Sequence, residues 1–503
     1  MPTESRRWAW GWALLLLVVF AVAIGNESLW IDEALTATKA RTATLGDWWR
    51  RMADEKMSDL QMPLYMFLVW ALAKILGTGE WALRALNLPW MIAGGVAWLQ
   101  SFPQKNQRVA AGLVLLTAPF AWYYLNEARP YAMQLGGALL VVAALQALSR
   151  SDAPRTTGCG WFGIFCAGLL VLGGCNMLGM IWVAGALGAL VLALTFPETK
   201  RLLQRNYALT LATGSALALL TAYYFWTLSV GARASAVAGT GWANVAFAGY
   251  ELAGCTGLGP SRLQLREFGA AALRPYLGWL GAYAVLWSFI LFRGCASLNP
   301  GANWRRWLGG VACVAGPVLV LVATGVVAHF RLLGRHVTPL AAVGLWLLTL
   351  GCAALAKERA WWKRGVVGFW LTLSLISCLS LRFAPRHARD DYRTAATRAR
   401  VALGRGQVVW WSAARAGAEY YRLPTDLPPG RQGAAVELIN VAPAALADLP
   451  RPDLVVASKP DIHDAGGALA AYLAVNGYRP AEILAGFTIW LPAGRPAGPD
   501  LPR

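Results

Sequence analysis

Apolar runs of about 20 residues recur through most of the chain, each long enough to cross a hydrocarbon core about 30 Å thick. Hydrocarbon offers no partner to a backbone N–H or C=O, so runs of this length and uniformity read as membrane helices. Taken in order, they lie near residues 8–24, 62–77, 83–100, 108–124, 131–148, 158–174, 177–195, 207–229, 274–292, 308–329, 337–356 and 365–383. Hydrophobic residues make up 57% of the 503 positions, which points to an integral membrane protein.

A formal charge of +19 in a soluble chain would suggest nucleic acid. Here the basic residues gather in short loops: Lys105 with Arg108, Arg150 with Arg155, Lys200 and Arg201 with Arg205, Arg293 followed by Arg305 and Arg306, and Lys357, Arg359, Lys363 with Arg364. That is the positive-inside pattern, which puts these loops in the cytoplasm and disfavours a nucleic-acid partner. Arg6 and Arg7 precede the first run, and no small-residue cleavage site follows it, so a retained first span with a cytoplasmic N-terminus is expected. The loops agree with an outside segment after that span only if one early run fails to cross. The short run opening Met62-Pro63-Leu64-Tyr65 is the weakest and is expected to be re-entrant or interfacial. The expected fold is thus a mainly α-helical polytopic membrane protein with about 11 spans, one interfacial or re-entrant segment and an outside C-terminus. The eight cysteines show neither metal-ligand spacing nor a disulfide framework.

Under this topology the outer face collects the unusual polar residues. Asp32 and Glu33 follow the first run directly. Adjacent carboxylates at a membrane edge are costly unless they line a water-filled cleft, where they could act as base and orienter or hold a divalent cation; the pair alone does not distinguish these. Asp47-Trp48-Trp49-Arg50-Arg51-Met52 reads as a helix on the membrane surface. Asp59 precedes Gln61-Met62-Pro63-Leu64-Tyr65, and Asn126-Glu127-Ala128-Arg129-Pro130-Tyr131 fills a tight loop whose Glu127 and Arg129 could pair, as site support or as a structural salt bridge. A longer outside loop near 230–273 holds Arg233, Glu251, Arg262, Arg266 and Glu267. Arg331, Arg335 and His336 form a basic cluster on the face where positive-inside does not expect one. Phosphate is the partner that guanidinium forks fit, while His336 could donate to phosphate or cap a helix. No Gly-rich nucleotide loop is present in the sequence.

The segment boundaries expected from these patterns are a membrane domain at 1–383, a basic connector at 384–405, a small external α/β domain at 406–495 and a disordered tail at 496–503. Strand-like runs at 407–411, 454–458 and 487–491 alternate with helical stretches at 413–421 and 467–476. The connector's arginines could meet anionic headgroups.

The elements Leu29-Trp30-Ile31-Asp32-Glu33-Ala34, Pro63-Leu64-Tyr65, Gly79-Glu80 with Arg84, Glu127-Ala128-Arg129-Pro130-Tyr131, and a late Arg335-His336 with Pro339 occur in that order. Together they resemble the bacterial members of the dolichyl-phosphate-mannose protein mannosyltransferase superfamily, the GT-C class that includes aminoarabinose transferases acting on lipid A. The resemblance covers about residues 8–383. It implies an inverting glycosyltransferase, similar to glycosyltransferase family 39, at the outer face of a bacterial inner membrane. Such an enzyme moves a sugar from a polyprenyl-phosphate donor to a hydroxyl of a lipid, glycan or protein acceptor. By motif it implies Asp32 as the catalytic carboxylate, Glu33 as a residue shaping the site, and Arg331, Arg335 and His336 near the donor phosphate. It also implies substrate contacts at Asp59, Gln61, Tyr65, Glu127, Arg129 and Tyr131. Many members carry His before Pro-Leu-Tyr where this chain has Gln61, so an imidazole is not supplied there. No cofactor is assigned, a divalent metal stays open, and Asp59 offers a further carboxylate. The alternatives are a polyprenyl-linked glycan polymerase or ligase, expected to carry a large charged external loop, a lipid-linked sugar transporter, expected to show inverted repeats and polar midplane residues, and a non-catalytic scaffold.

Overall fold

The structure, a computed structural model, describes residues 3–150, 157–194, 196–231, 239–298, 304–426 and 433–494. Arg155, Arg233 and the expected tail at 496–503 lie outside the described residues, as do the side chains of Arg6, Arg7, Cys159, Arg305 and Arg306. Two units emerge, each assembled from separated segments. The first comprises Met1–Gly25, Thr44–Gly77 and Trp81–His387; the second comprises Asn26–Ala43, Thr78–Glu80 and Ala388–Arg503.

The first unit is helical. Six of its described helical segments are long and apolar enough to cross a membrane: Tyr131–Leu148, Tyr207–Ser229, Arg262–Ser297, Leu308–Val327, Gly334–Lys357 and Trp361–Phe383. The number rises to eight if the bent pairs Lys105–Leu116 with Pro119–Leu125, and Gly179–Ala193 with Glu198–Arg205, each count as one span. Length and composition of the described helices therefore support fewer spans than the sequence pattern suggests. The reason is that several apolar runs make shorter helices, at Trp8–Ala23, Pro63–Leu76 and Gly160–Cys175. The 14-residue helix Pro63–Leu76 rises only about 21 Å, less than the thickness of the hydrocarbon. The first bent pair turns by 50° where Pro119 opens the second helix, because a proline ring cannot continue the preceding hydrogen-bond ladder.

Tyr131–Leu148 is the central helix, with 83% of its apolar window buried, against 11% for Tyr207–Ser229. Leu211, Leu219 and Phe225 on the latter are left uncovered, a surface suited to acyl chains rather than water. Because lipid tails are as apolar as leucine, helices here associate by close contact, and glycine sets the distance. A Cβ at Gly136 would lie 2.5 Å from the Trp90 carbonyl, and one at Gly94 would lie 2.6 Å from that of Gly136. Gly294 and Gly351 meet in the same way: added Cβ atoms would stand 2.0 Å from the Leu347 and Ile290 carbonyl oxygens respectively. Within this unit Leu45–Glu55 forms the expected surface-type helix, capped where Thr44 Oγ1 accepts the Asp47 N–H at 3.1 Å, with Trp48 and Met52 buried and Arg50 exposed.

The second unit is built on a six-stranded sheet among the described residues, with strands β1 (Val409–Ser412), β2 (Thr425–Asp426), β3 (Ala435–Glu437), β4 (Leu454–Ala457), β5 (Tyr478–Leu484) and β6 (Phe487–Pro492) in the order β2-β3-β1-β4-β6-β5. β2, β3, β1 and β4 run parallel, whereas β6 is antiparallel to both of its neighbours, β4 and β5. β1 is buried on both faces, as a central parallel strand must be: Val409 and Trp411 join a core with Tyr392, Ala395 and Phe487, while Trp410 joins one with Val455, Leu469 and Leu473. The basic stretch after residue 388 becomes the helix Tyr392–Gly404, capped by Asp391. Its Arg398 makes two bonds of 3.0 Å to the Glu482 carboxylate, so this guanidinium is committed to the sheet rather than to headgroups. The helix Ile31–Ala40, expected in the membrane domain, belongs to this unit, with Ile31 packed against the Tyr392–Trp411 core.

Gly351→Leu is expected to destabilise the first unit by about 1–3 kcal/mol or more, because a backbone carbonyl occupies the added volume. Gly281 has open space around its α-carbon, so Gly281→Leu should leave the thermal unfolding midpoint in detergent within error.

Candidate functional site

In the first unit, the early and late motifs meet around the loop before Tyr131–Leu148. The Asn126 side-chain oxygen accepts the Gly25 N–H at 2.6 Å, and Arg84 donates to the Gly25 carbonyl at 2.9 Å. Asn87 donates to the carbonyls of Leu125 and Glu127 at 3.1 and 2.7 Å. These bonds hold the backbone of the Glu-Ala-Arg element by side chains from other helices, as a buried irregular loop requires. Glu127 and Arg129 are both buried, and Arg129 pairs with Asp59, with Nη1 to Oδ1 at 2.6 Å. Asp59 sits in the short 3₁₀ turn Ser58–Gln61, 1% exposed, and is thus engaged by Arg129 rather than offered as an open carboxylate. The same turn is fixed from outside: the Leu60 carbonyl accepts the Tyr223 hydroxyl at 2.7 Å, and the Gln61 carbonyl accepts the Met177 N–H at 2.9 Å. Tyr65 is fully buried at the start of the helix Pro63–Leu76.

Tyr131 links this cluster to the late motif. Its ring lies 5.3 Å from that of Tyr124, and the Arg335 guanidinium is 5.6 Å from its centroid, a cation–π distance. His336 acts as a cap: Nδ1 accepts the Leu333 N–H at 3.1 Å, so the neutral ring carries its proton on Nε2. Its backbone carbonyl faces Trp182 Nε1 at 3.4 Å. Arg331 is exposed, unlike its buried neighbour Leu332.

Two charged residues of the long loop complete the arrangement, in a role that the sequence pattern did not assign to them. Glu251 is buried, holds the Arg262 guanidinium through Oε1, and accepts the Gly334 N–H through Oε2 at 2.9 Å. Arg262 also donates to the Tyr124 hydroxyl at 3.2 Å and lies 4.1 Å above the Tyr123 ring. Gly334 is required for this approach, because a Cβ there would sit 2.5 Å from Glu251 Oε2. Glu251 therefore anchors the residue immediately before Arg335. Its only signal in the sequence is an acidic residue in an apolar stretch that ends at a glycine.

The acidic pair belongs to the second unit, in the first turn of Ile31–Ala40, where the helix dipole favours negative charge. The two carboxylates differ. Glu33 is fully buried, accepts the Trp30 N–H at 3.3 Å and faces Arg389 at 3.5 Å, with Glu27 on the other side of that guanidinium at 3.9 Å. Asp32 is only half-buried, and its backbone carbonyl takes the Thr36 hydroxyl at 3.1 Å. Glu33 is thereby occupied with the helix start, while Asp32 retains access to solvent. Among the described residues no group of three or more His, Cys, Asp or Glu side chains converges to hold a metal ion.

Removing Arg129 alone, as Arg129→Met, strands a buried carboxylate and should cost about 3–5 kcal/mol. The double change with Asp59→Leu should recover most of that loss, read as thermal midpoints of the three purified proteins. Glu251→Ala is expected to lower the midpoint more than Glu251→Gln, since the amide still accepts from Gly334.

No protein-family model matches the chain, and no curated protein sequence matches it. Solved structures do share its fold. ArnT from Cupriavidus metallidurans bound to undecaprenyl phosphate superposes with a TM-score of 0.53 at 14% identity, over 98% of this chain and 99% of that one. Its apo state gives a TM-score of 0.52 at 14% identity, over 97% and 98%. The likeness runs through both units and establishes the fold, in agreement with the superfamily resemblance drawn from the motifs.

Proposed function

We propose that this chain is an inverting membrane glycosyltransferase that moves a sugar from a polyprenyl-phosphate carrier to a hydroxyl acceptor at the outer face of a bacterial inner membrane. The observation that carries the reading is the end-to-end fold likeness to a protein whose crystal contains undecaprenyl phosphate, joined to the ordered motifs of the sequence. In this reading the N-terminus is cytoplasmic, and the shorter apolar helices bring the spans to about eleven.

The reaction is a single displacement. The acceptor hydroxyl oxygen attacks the anomeric carbon, the bond from that carbon to the phosphate oxygen breaks, and the hydroxyl proton passes to the Asp32 carboxylate and then to water. Polyprenyl phosphate leaves as the anion, so no separate acid is needed. Arg335, stacked on Tyr131, and the exposed Arg331 attract that anion, while Glu33 keeps Asp32 in register through the Trp30 N–H. His336 supports the arginine turn as a cap rather than as a proton donor from Nδ1. One displacement inverts the anomeric centre. The acceptor is a lipid, glycan or protein hydroxyl, and no step is routed through a metal.

The test is transfer by purified protein from a panel of polyprenyl-phosphate sugars to membrane acceptors, followed by mass spectrometry. Asp32→Asn should lower transfer by about 100-fold or more while polyprenyl-phosphate binding persists. Transfer at the normal rate by that variant would remove Asp32 from the chemical step.

A further inference from the structure

The start of the helix Ile31–Ala40 is fixed by one closed network of the second unit. The Tyr421 hydroxyl accepts the Leu29 N–H at 2.9 Å and the Ser28 hydroxyl at 3.2 Å, and donates to Glu80 Oε1 at 3.1 Å. The same Glu80 oxygen takes Arg393 Nη2 at 2.8 Å, which also bonds the Asn26 carbonyl at 2.8 Å. Arg393 closes the circuit through its backbone N–H, which Ser28 Oγ accepts at 3.0 Å. The stretch from Asn26 to Leu29 is therefore tied at the Asn26 carbonyl, Ser28 Oγ and the Leu29 N–H to Tyr421 and Arg393, which Glu80 joins to one another. These come from three separate stretches of chain. Downstream, Trp30 carries the Lys459 ammonium 5.9 Å from its ring, and Lys459 is itself paired with Asp390.

The far end of the helix is held by the neighbouring tyrosine. Arg41 Nη1 donates to the Tyr420 carbonyl at 2.6 Å, and its guanidinium lies 4.0 Å above the Tyr420 ring. Arg41 Nε reaches Thr78 Oγ1 at 3.2 Å, and the Tyr420 hydroxyl donates to the Thr78 carbonyl at 2.7 Å. The two rings stand nearly perpendicular with centroids 4.7 Å apart. They address both ends of one ten-residue helix from adjacent positions, Tyr420 closing the helix Arg415–Tyr420 and Tyr421 capping it, and the chain then turns left-handed at Arg422, whose φ is +58°. A non-glycine residue adopts that conformation at a cost, which is tolerated where surrounding contacts over-determine it.

We infer that the sheet-bearing unit is part of the catalytic apparatus rather than a cap, with Tyr421 as the positioning residue that fixes the backbone carrying Asp32. This rests on the proposed role of Asp32. The tyrosine touches no reacting atom and acts through the Leu29 peptide, setting where the carboxylate of Asp32, less than one helical turn later, can stand. Glu80 acts by holding the Tyr421 hydroxyl and the Arg393 guanidinium on one oxygen, while Arg393 also bonds Asn26 and Ser28 directly, which gives the Gly79-Glu80 element a role at the acidic pair despite its distance in sequence.

The test compares full-length wild type with Tyr421→Phe and Glu80→Gln in two assays. Tyr421→Phe keeps the ring and its packing while deleting the hydroxyl. Sugar transfer should show kcat reduced about 10- to 100-fold, with the donor KM within about twofold and the thermal midpoint of the protein unchanged. Glu80→Gln should fall between this variant and wild type. Hydrogen exchange of the helical amides at Ala34 and beyond should quicken in Tyr421→Phe while the amides of β1 and β4 keep their protection. A normal kcat in Tyr421→Phe overturns the inference, as does a loss confined to KM. If wild type transfers no sugar from any donor, the functional reading fails by itself. Exchange then decides the positioning claim: faster exchange at the start of Ile31–Ala40 upholds it, and unchanged exchange there overturns it.

Discussion

Hydrocarbon accepts no hydrogen bond, and this single fact governs most of the first unit. It forces the apolar runs into helices and removes the hydrophobic drive between them, so association falls to close contact at glycines such as Gly136 and Gly351. It also drives charge to helix ends. Two of the buried carboxylates are paired with arginines: Asp59 with Arg129, and Glu251 with Arg262. Those pairs contribute little net stability, but a half-pair would be costly, so each fixes the relative position of two loops. The basic late element gains its order this way, from a carboxylate that reaches across to the Gly334 N–H.

Much of this was readable beforehand. Run length identified the helices, turn residues and alternating apolar positions found β1, β4 and β6, and the order of acidic and basic motifs pointed to the superfamily. The strands that escaped notice have physical reasons to do so. β2 and β3 are two and three residues long, too short to show a period, and β5 carries Arg479 and Pro480 on an edge with most of its side chains exposed. The span count was less legible, because hydropathy registers composition, whereas length and bending divide the apolar runs into long helices, bent pairs and shorter helices.

The pairing partners were less accessible. Arg129 pairs with Asp59, which is 70 positions away. The role of Glu251 depends on a glycine 83 residues downstream. Both cases join residues through tertiary structure alone, and no local pattern marks them. Even the two adjacent carboxylates separate only in three dimensions: burial and Arg389 claim Glu33, while Asp32 stays half in solvent.

The discontinuity of the second unit has a consequence in time. Leu29 finds its partner on Tyr421, 392 residues later in the chain, so the helix carrying the acidic pair leaves the ribosome among the first segments and completes its hydrogen bonds among the last. Closing so long a loop makes this a late event in folding. A nascent chain that has inserted its spans but not yet delivered its final hundred or so residues holds an acidic helix without an anchor. Assembly thus imposes an order of its own, in which this helix is held at its start only after the segment bearing Tyr421 has been made.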